Sequence, residues 1–439
     1  MLVCGCNSKT AITTNPNQSC AGIEYPGWKM RPKKETQGQV KLSLVLDRFE
    51  GNPILKPIPG NWWESKAVFN PAVIYEGGKV HILYRAIGET EHSLLGYASS
   101  ADGFHIEERL VQPAYAPREL FEGADSLPHL LTGRYSPYES GGGGGGGCED
   151  PRLTRIEDKV YLTYVAYDGH SAPRVALSSI AIGDFLQKKW NWKKPVLISP
   201  PHVVDKNACI LPEKINGKYV IFHRIFPNIL IDFVDDLDFD GKTRWLEGHF
   251  KISVKSSSWD SLKVAAGPPP IKTKEGWLFI YHAMDEKDDL RYKIGAMLLD
   301  IKEPTRVLAR TKKPILEPRA IYENEGLKYG VVYPCGAAVL KDRLFVYYGG
   351  ADMVVCVATA KMSEFLSQFC HESEITQVSY PVHAPPEIPV TTQEHIVGYC
   401  LKCRKKVEMK KPHHHVMKNL KHAVKGVCPK CGVKMIKFG

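Results

Sequence analysis

The stretch FNPAVIYEGGKVHILYRA, residues 69–86, decides the fold. Apolar and polar residues alternate on either side of Glu76-Gly77-Gly78-Lys79, which predicts two antiparallel strands joined by a tight glycine turn. Four later segments repeat the plan: EDPRLTRIEDKVYLTYVAYD (149–168), DKNACILPEKINGKYVIFHRI (205–225), GPPPIKTKEGWLFIYHAMD (267–285) and VVYPCGAAVLKDRLFVYYGGAD (331–352). Each carries a proline near its start: Pro71, Pro151, Pro212, Pro270 and Pro334. A third apolar strand follows in most of them, and runs such as KKPVLI and KKPILEP supply a fourth. Five four-stranded units at roughly sixty-residue spacing predict an all-β chain folded as a five-bladed β-propeller over residues 41–370. A β-sandwich or two smaller β-domains is the competing arrangement, and five matching units weigh against it.

The first interval is the longest, and residues 113–147 read as a loop inserted there. It ends in seven consecutive glycines, Gly141 to Gly147, directly ahead of Cys148-Glu149-Asp150-Pro151-Arg152. Glycine loses the most conformational freedom on ordering, so the run reads either as low-complexity expansion or as the hinge of a lid. Residues 1–40 read as an N-terminal extension whose order the sequence leaves open, and residues 371–395 as a proline-rich linker. A small separate domain follows over 396–439.

Composition narrows the function classes. Of 439 residues, 43% are hydrophobic, enough for a sizeable core, and no apolar run is long enough for a membrane-spanning helix. The start, MLVCGCNSKT, lacks the pattern of a signal peptide, and the scattered cysteines among the twelve do not form a disulfide framework. A cytoplasmic location without membrane contact is the expectation. The net charge of +10 is unevenly placed: residues 395–439 hold eleven Lys and one Arg against the single acid Glu408. The basic character belongs to the tail, and the rest of the chain is close to neutral.

Polar residues gather where the repeated strands begin and end. Asn70, Glu149, Asp150, Arg152, Asp205, Lys206 and Asn207 lie at the starts; Arg85, Asp168, His223, Arg224, His282, Asp285 and Asp352 lie at the ends. Carboxylates so placed can move protons or hold sugar hydroxyls, and Arg, Lys and His can hold an anion such as phosphate. Any one alone reads equally as an ion pair stapling neighbouring units.

The ordered motifs FNPA, CEDPR with YLTYVAYD, DKNACILPEKINGKY, AGPPPIKT with GWLFIYHAMD, and PILEP with VVYPCGA and VYYGGAD resemble glycoside hydrolase family 130, over roughly residues 41–370. The resemblance implies a five-bladed propeller that cleaves β-mannosides with inversion. Inorganic phosphate is then the co-substrate, mannose 1-phosphate the product, and no catalytic cofactor is needed. It implies Asp150 as general acid, acting through a hydroxyl of the bound mannose. Phosphate would be held by Arg152, Arg174, Lys206, His223 and Arg224, and the manno-oligosaccharide by Asn70, Arg85, Asp205, Asn207, Tyr281, His282, Asp285 and Asp352. Trp62 and Trp63 are further rim candidates. An inverting hydrolase would need a second carboxylate as base, whereas phosphate is already an anionic nucleophile. Hydrolysis of the same substrates, or a non-catalytic glycan- or protein-binding propeller, are the alternatives. The sequence departs from the family pattern in the length of the glycine run, in Ala265-Ala266-Gly267 and in His282-Ala283-Met284-Asp285. None of these removes a charged candidate.

In the tail, Cys400-x2-Cys403 and Cys428-x2-Cys431 offer four thiolates to one tetrahedral ion. That predicts a structural zinc ribbon, which supplies the stability that so small a core lacks. Its charge suits contact with protein or, nonspecifically, with nucleic acid, and self-association of the chain is left open.

Overall fold

The computed structural model describes residues 44–124, 138, 143–372, 397–400, 402–416 and 422–438. The expected N-terminal extension, most of the expected linker and residues 125–137 and 139–142 of the expected insert lie outside them. The chain divides into two compact units, Met1–Val382 and His383–Gly439.

The regular structure described in the first unit is almost entirely β. A short strand, β1 (Asp47–Arg48), precedes four up-and-down groups: β2 (Ala67–Glu76), β3 (Lys79–Ile87), β4 (His92–Ser100) and β5 (Glu108–Arg109); β6 (Gly146–Ile156), β7 (Lys159–Tyr167), β8 (Arg174–Ala181) and β9 (Val196–Leu197); β10 (Lys206–Ile210), β11 (Tyr219–Ile225), β12 (Asn228–Val234) and β13 (Phe250–Ile252); and β14 (Lys263–Ala266), β15 (Ile271–Lys272), β16 (Trp277–Asp285), β17 (Asp288–Leu299) and β18 (Val307–Arg310). Among the described residues, the fifth group has β19 (Val332–Leu340), β20 (Arg343–Gly350) and β21 (Val354–Lys361) of its own. Its fourth strand is β1, which pairs antiparallel with β21 through Asp47–Thr359 and Arg48–Ala358. Short helices α1 (Ile182–Leu186) and α2 (Ile321–Asn324) sit in connections, and α3 (Met362–Glu372) carries the chain two residues past the boundary expected at 370.

Alternation along each strand buries both faces, so the sheets stack through shared apolar clusters. Leu278, Ile280 and Ile294 of the fourth group meet Leu344, Val346 and Tyr348 of the fifth, and Val68, Ile82 and Tyr84 of the first meet Phe345 and Tyr347 of the fifth. First strands also meet one another: β2 touches both β6 and β19, and β10 touches both β6 and β14.

The repeat is more regular in the second strand than at the prolines. Pro71 and Pro151 each sit in a β-bulge, where Asn70-Pro71 and Asp150-Pro151 face single residues of the neighbouring strand. The matching bulge in the third group is Asn207-Ala208; Pro212 lies beyond β10, in the following turn. Proline is tolerated at a bulge because no ladder hydrogen bond is required there, but nothing makes it obligatory.

The glycine run is tightly bound where it is described. Gly146 and Gly147 open β6 by pairing parallel with His92 and Ser93 of β4, fusing the first two groups into one sheet. Gly147 has φ +103°, and a Cβ there would overlap the Ser93 backbone. The start of the expected insert is likewise part of the core: Ala114 and Tyr115 bond to the Leu95 backbone and are 2% and 3% exposed.

In the second unit, β22 (Val397–Cys400) pairs with β23 (Lys405–Glu408), while β24 (Lys410–Val416), β25 (His422–Val427) and β26 (Lys434–Phe438) form a three-stranded antiparallel sheet.

Candidate active site

The bulges determine which side chains converge. Asn70, Asp150 and Asn207 have φ of +48°, +50° and +61°. Asn and Asp tolerate this left-handed region better than other residues with a side chain. A bulge re-aims the side chain it carries, and all three line one cavity of about 200 Å³. The cavity is completed by Lys206, Arg224, Lys263, His282, Tyr292, Lys328, Val331, Tyr333 and Asp352.

Asp150 is held from several sides. Its Oδ1 accepts Asn70 Nδ2 at 2.7 Å and Arg85 Nη1 at 3.1 Å. Arg85, fully buried, also donates to Ser93 Oγ (2.9 Å) and the Gly143 carbonyl (3.1 Å), and pairs with Glu149 at 3.3 Å. Burial would raise the Asp150 carboxyl; the Arg85, Arg152 and Lys206 charges and the Asn70 hydrogen bond outweigh it and hold it below the usual carboxylate range. Asp352 is different. It is 5% exposed and has no hydrogen bond or ion pair with any described residue. Burial, reinforced by Asp150 and Glu149 against Lys328 and Arg85, pushes it up to about 6.

A cationic wall of Lys206, Arg224, Lys263 and Lys328 lines the same cavity. Arg224 Nε donates to Asn207 Oδ1 at 2.9 Å, and Lys206 pairs with Glu149 at 3.7 Å. Lys263 Nζ donates to the Tyr292 hydroxyl at 2.6 Å, and Lys328 Nζ lies 4.6 Å from the same ring centroid. Burial and the like charges of Arg224 and Lys328 lower Lys263 despite Tyr292. His282 packs on Tyr333 with centroids 4.2 Å apart and the rings tilted by 38°; burial and the charges of Arg152, Lys263 and Arg224 lower its proton affinity well below that of a free imidazole. Lys263, Tyr292, Lys328 and Tyr333 were absent from the sequence-based candidates. Lys263 stands on β14 just ahead of the quoted fourth segment (267–285), Tyr292 on β17 beyond it, and Lys328 in a connection, so no motif marked them.

The other candidates stand elsewhere. Arg152 spends its guanidinium on the carbonyls of Asp150 (2.8 Å), Ala266 (3.2 Å) and Gly267 (3.2 Å), tying β6 to the end of β14. Arg174 donates to the Ser199 carbonyl, stacks on Trp245 at 4.7 Å and borders a different cavity of about 90 Å³. His223 is clamped between Asp205 (2.7 Å) and Asp232 (3.0 Å). Tyr281 donates to Asp260 at 2.8 Å. Asp285 accepts Ser261 Oγ at 3.2 Å and caps a turn. Trp63 is fully buried and Trp62 half exposed.

Strand alternation explains the division. Tyr84, Tyr164, His223, Tyr281 and Tyr348 hold the same place in the five hairpins, and each gives its polar atom to a buried acid: Glu64, Glu122, Asp205, Asp260 and Glu323. The next residue points the opposite way, which sends Arg85, Arg224 and His282 toward the centre.

In the second unit, the Sγ atoms of Cys400, Cys403, Cys428 and Cys431 all lie within 4.8 Å of one another. Cys400–Cys431 is 3.5 Å and Cys403–Cys428 3.9 Å, close to the roughly 3.8 Å edge of a tetrahedral zinc–thiolate site.

A family model described as beta-1,4-mannooligosaccharide phosphorylase matches residues 46–372. The chain belongs to glycoside hydrolase family 130. A 1,2-beta-oligomannan phosphorylase of Thermoanaerobacter sp. (strain X514) is 38% identical over 73% of this chain and 99% of its own length. A beta-1,2-mannobiose phosphorylase of Listeria innocua is 39% identical over 74% and 98%. The solved complex of the Listeria innocua beta-1,2-mannobiose phosphorylase with beta-1,2-mannobiose superposes with a TM-score of 0.57 at 28% identity, covering 74% of this chain and 99% of that one. Residues 399–438 match a domain of unknown function, DUF5679. Among the described residues no helix is long and apolar enough to cross a membrane.

Proposed function

We propose that this member of family 130 is a β-mannoside phosphorylase: phosphate displaces the leaving sugar of a manno-oligosaccharide and yields mannose 1-phosphate. The observation that carries the reading is one cavity lined by Asp150 together with Arg224, Lys206, Lys263 and Lys328. Positioned cations bind a phosphate dianion and turn it toward the anomeric carbon, while a carboxyl delivers a proton to the departing oxygen. Asp150 is assigned that delivery, through a sugar hydroxyl. Asn70, Arg85, Asn207, His282 and Asp352 are assigned to the sugar. Asp205, Tyr281 and Asp285 support the surrounding wall rather than touch the ligand. Among the phosphate candidates, Arg224 and Lys206 are joined by Lys263 and Lys328. Arg152, Arg174 and His223 are assigned to holding the frame.

The β-1,2 linkage is favoured, because the relatives named for β-1,2 substrates reach 38–39% identity, against 30% for a beta-1,4-mannooligosaccharide phosphorylase and 24% for a 4-O-beta-D-mannosyl-D-glucose phosphorylase. The five antiparallel groups, closed by β1, support a five-bladed propeller with the site at its axis. The thiolate cluster supports a zinc ribbon, in which Cys400, Cys403, Cys428 and Cys431 would hold a structural ion. A cytoplasmic location is retained, with the ribbon contacting protein or, nonspecifically, nucleic acid.

Asp352 in the same cavity favours a second reading, hydrolysis with Asp352 as base. Incubating the protein with β-1,2- and β-1,4-linked manno-oligosaccharides, with and without phosphate, separates the two. Phosphate-dependent mannose 1-phosphate is the expected product; free mannose formed equally without phosphate would overturn phosphorolysis.

A further inference from the structure

Two carboxyl groups line the cavity, and the protein treats them oppositely. Asp150 is surrounded by donors, with Asn70 and Arg85 both on Oδ1. Two charge-assisted bonds favour the ionised form, so the resting Asp150 has no proton to give. Asp352 is as deeply buried yet has no hydrogen-bonding partner among the described residues. It follows Ala351 in a left-handed pair, φ +49° and +51°, at the end of β20. The elements around it contribute Lys328, Asp150 and Glu149 of β6, Arg85 of β3, Tyr292 of β17 and Cys335 of β19. A buried carboxyl near two other acids and without a donor of its own is the member of the pair that keeps a proton.

We infer that Asp150 and Asp352 share one mobile proton, which rests on Asp352 and reaches the glycosidic oxygen through the bound sugar and Asp150. The inference depends on the phosphorylase reading above and gives the reaction its missing proton source. The step balances without another reactant. A phosphate oxygen forms its bond to the anomeric carbon as the bond from that carbon to the leaving oxygen breaks. The proton passes from the carboxyl pair to that oxygen, which departs as a hydroxyl. The attacking species is hydrogen phosphate; its remaining proton returns to the carboxyl pair as mannose 1-phosphate leaves as a dianion. The raised affinity of Asp352 for its proton agrees with this order.

The test is the pH dependence of kcat/KM for phosphorolysis by the full chain, with β-1,2-mannobiose and with an aryl β-mannoside, whose leaving group needs no proton. For the disaccharide, kcat/KM should decline above a pH of about 6. Asp352→Asn should lower kcat on the disaccharide by about a hundredfold or more and remove that decline, while the aryl substrate loses less than about tenfold. Asp352→Glu, which keeps a carboxyl, should retain a decline on the alkaline side. The wild-type profile alone decides the matter if the variants do not fold. A flat wild-type profile, or equal losses on both substrates with the decline intact, would overturn the shared proton and leave Asp352 as a hydroxyl ligand. Absence of mannose 1-phosphate from every mannoside would instead overturn the phosphorylase reading itself.

Discussion

Asn70 Nδ2 donates a 2.7 Å hydrogen bond to Asp150 Oδ1, joining the bulge of the first four-stranded group to the bulge of the second. Both residues have positive φ, so the contact is made by two backbone irregularities facing each other. Asp150→Asn removes the charge and keeps the shape. It should lower phosphorolysis by about two to four orders of magnitude while leaving mannoside binding within a few-fold. Asn70→Ala should cost far less, because Arg85 still holds the carboxylate. Steady-state rates with calorimetric binding check both.

The cationic wall separates two sets of residues that look alike in sequence. Arg224→Ala and Lys263→Ala should each raise the KM for phosphate about tenfold or more, a loss of roughly 1.4 kcal/mol, with little change in the KM for the sugar. Arg174→Ala should leave the phosphate KM nearly unchanged, since its guanidinium is engaged by the Ser199 carbonyl and Trp245. Initial rates at varied phosphate distinguish the sets.

His223 should govern stability on the alkaline side. Burial would lower it, but Asp205 and Asp232 outweigh burial and push it up to about 10. A folded-state value above the unfolded one, about 6.5, gives stabilisation that is complete below about 6.5 and fades as the pH rises through about 10. The gap in Tm between the wild type and His223→Gln should therefore be widest near pH 6 and shrink toward pH 10. A gap independent of pH would refute a charged His223.

Gly147→Ala tests whether the glycine run is slack. With φ +103° and Ser93 in contact, an added methyl group must separate β4 from β6. A destabilisation of about 2 kcal/mol or more is expected in denaturant titrations.

The four cysteines should bind one zinc per chain, and Cys400→Ser should abolish that stoichiometry. Chelation should unfold the C-terminal unit and leave mannoside phosphorolysis largely intact, as checked by elemental analysis and activity.

The hairpins were legible because period-two alternation and turn residues are local signals, and they recur in all five groups. What decided the site was not local. His223 and Arg224 are neighbours in sequence and similar in chemistry, yet a strand sends them to opposite faces. Only the bulge register at Asn207-Ala208 shows which one reaches the cavity. Lys263, Lys328 and Tyr292 come from strands and a connection with no shared motif, and only the assembled ring brings them together. Composition left the seven glycines open between expansion and a hinge, whereas Gly144 to Gly147 meet backbone of Glu91, Tyr167 and Ser93.

The pairing of β1 with β21 has a consequence for synthesis. The Asn52 side chain, just after β1, and Val357 of β21, 305 positions apart, exchange hydrogen bonds. β1, the first of the described strands, thus leaves the ribosome roughly 300 residues before its neighbour β21. Until β21 emerges, both edges of the growing array stay open to other chains, so a translation pause before Val354 would expose this protein to aggregation at its most vulnerable stage.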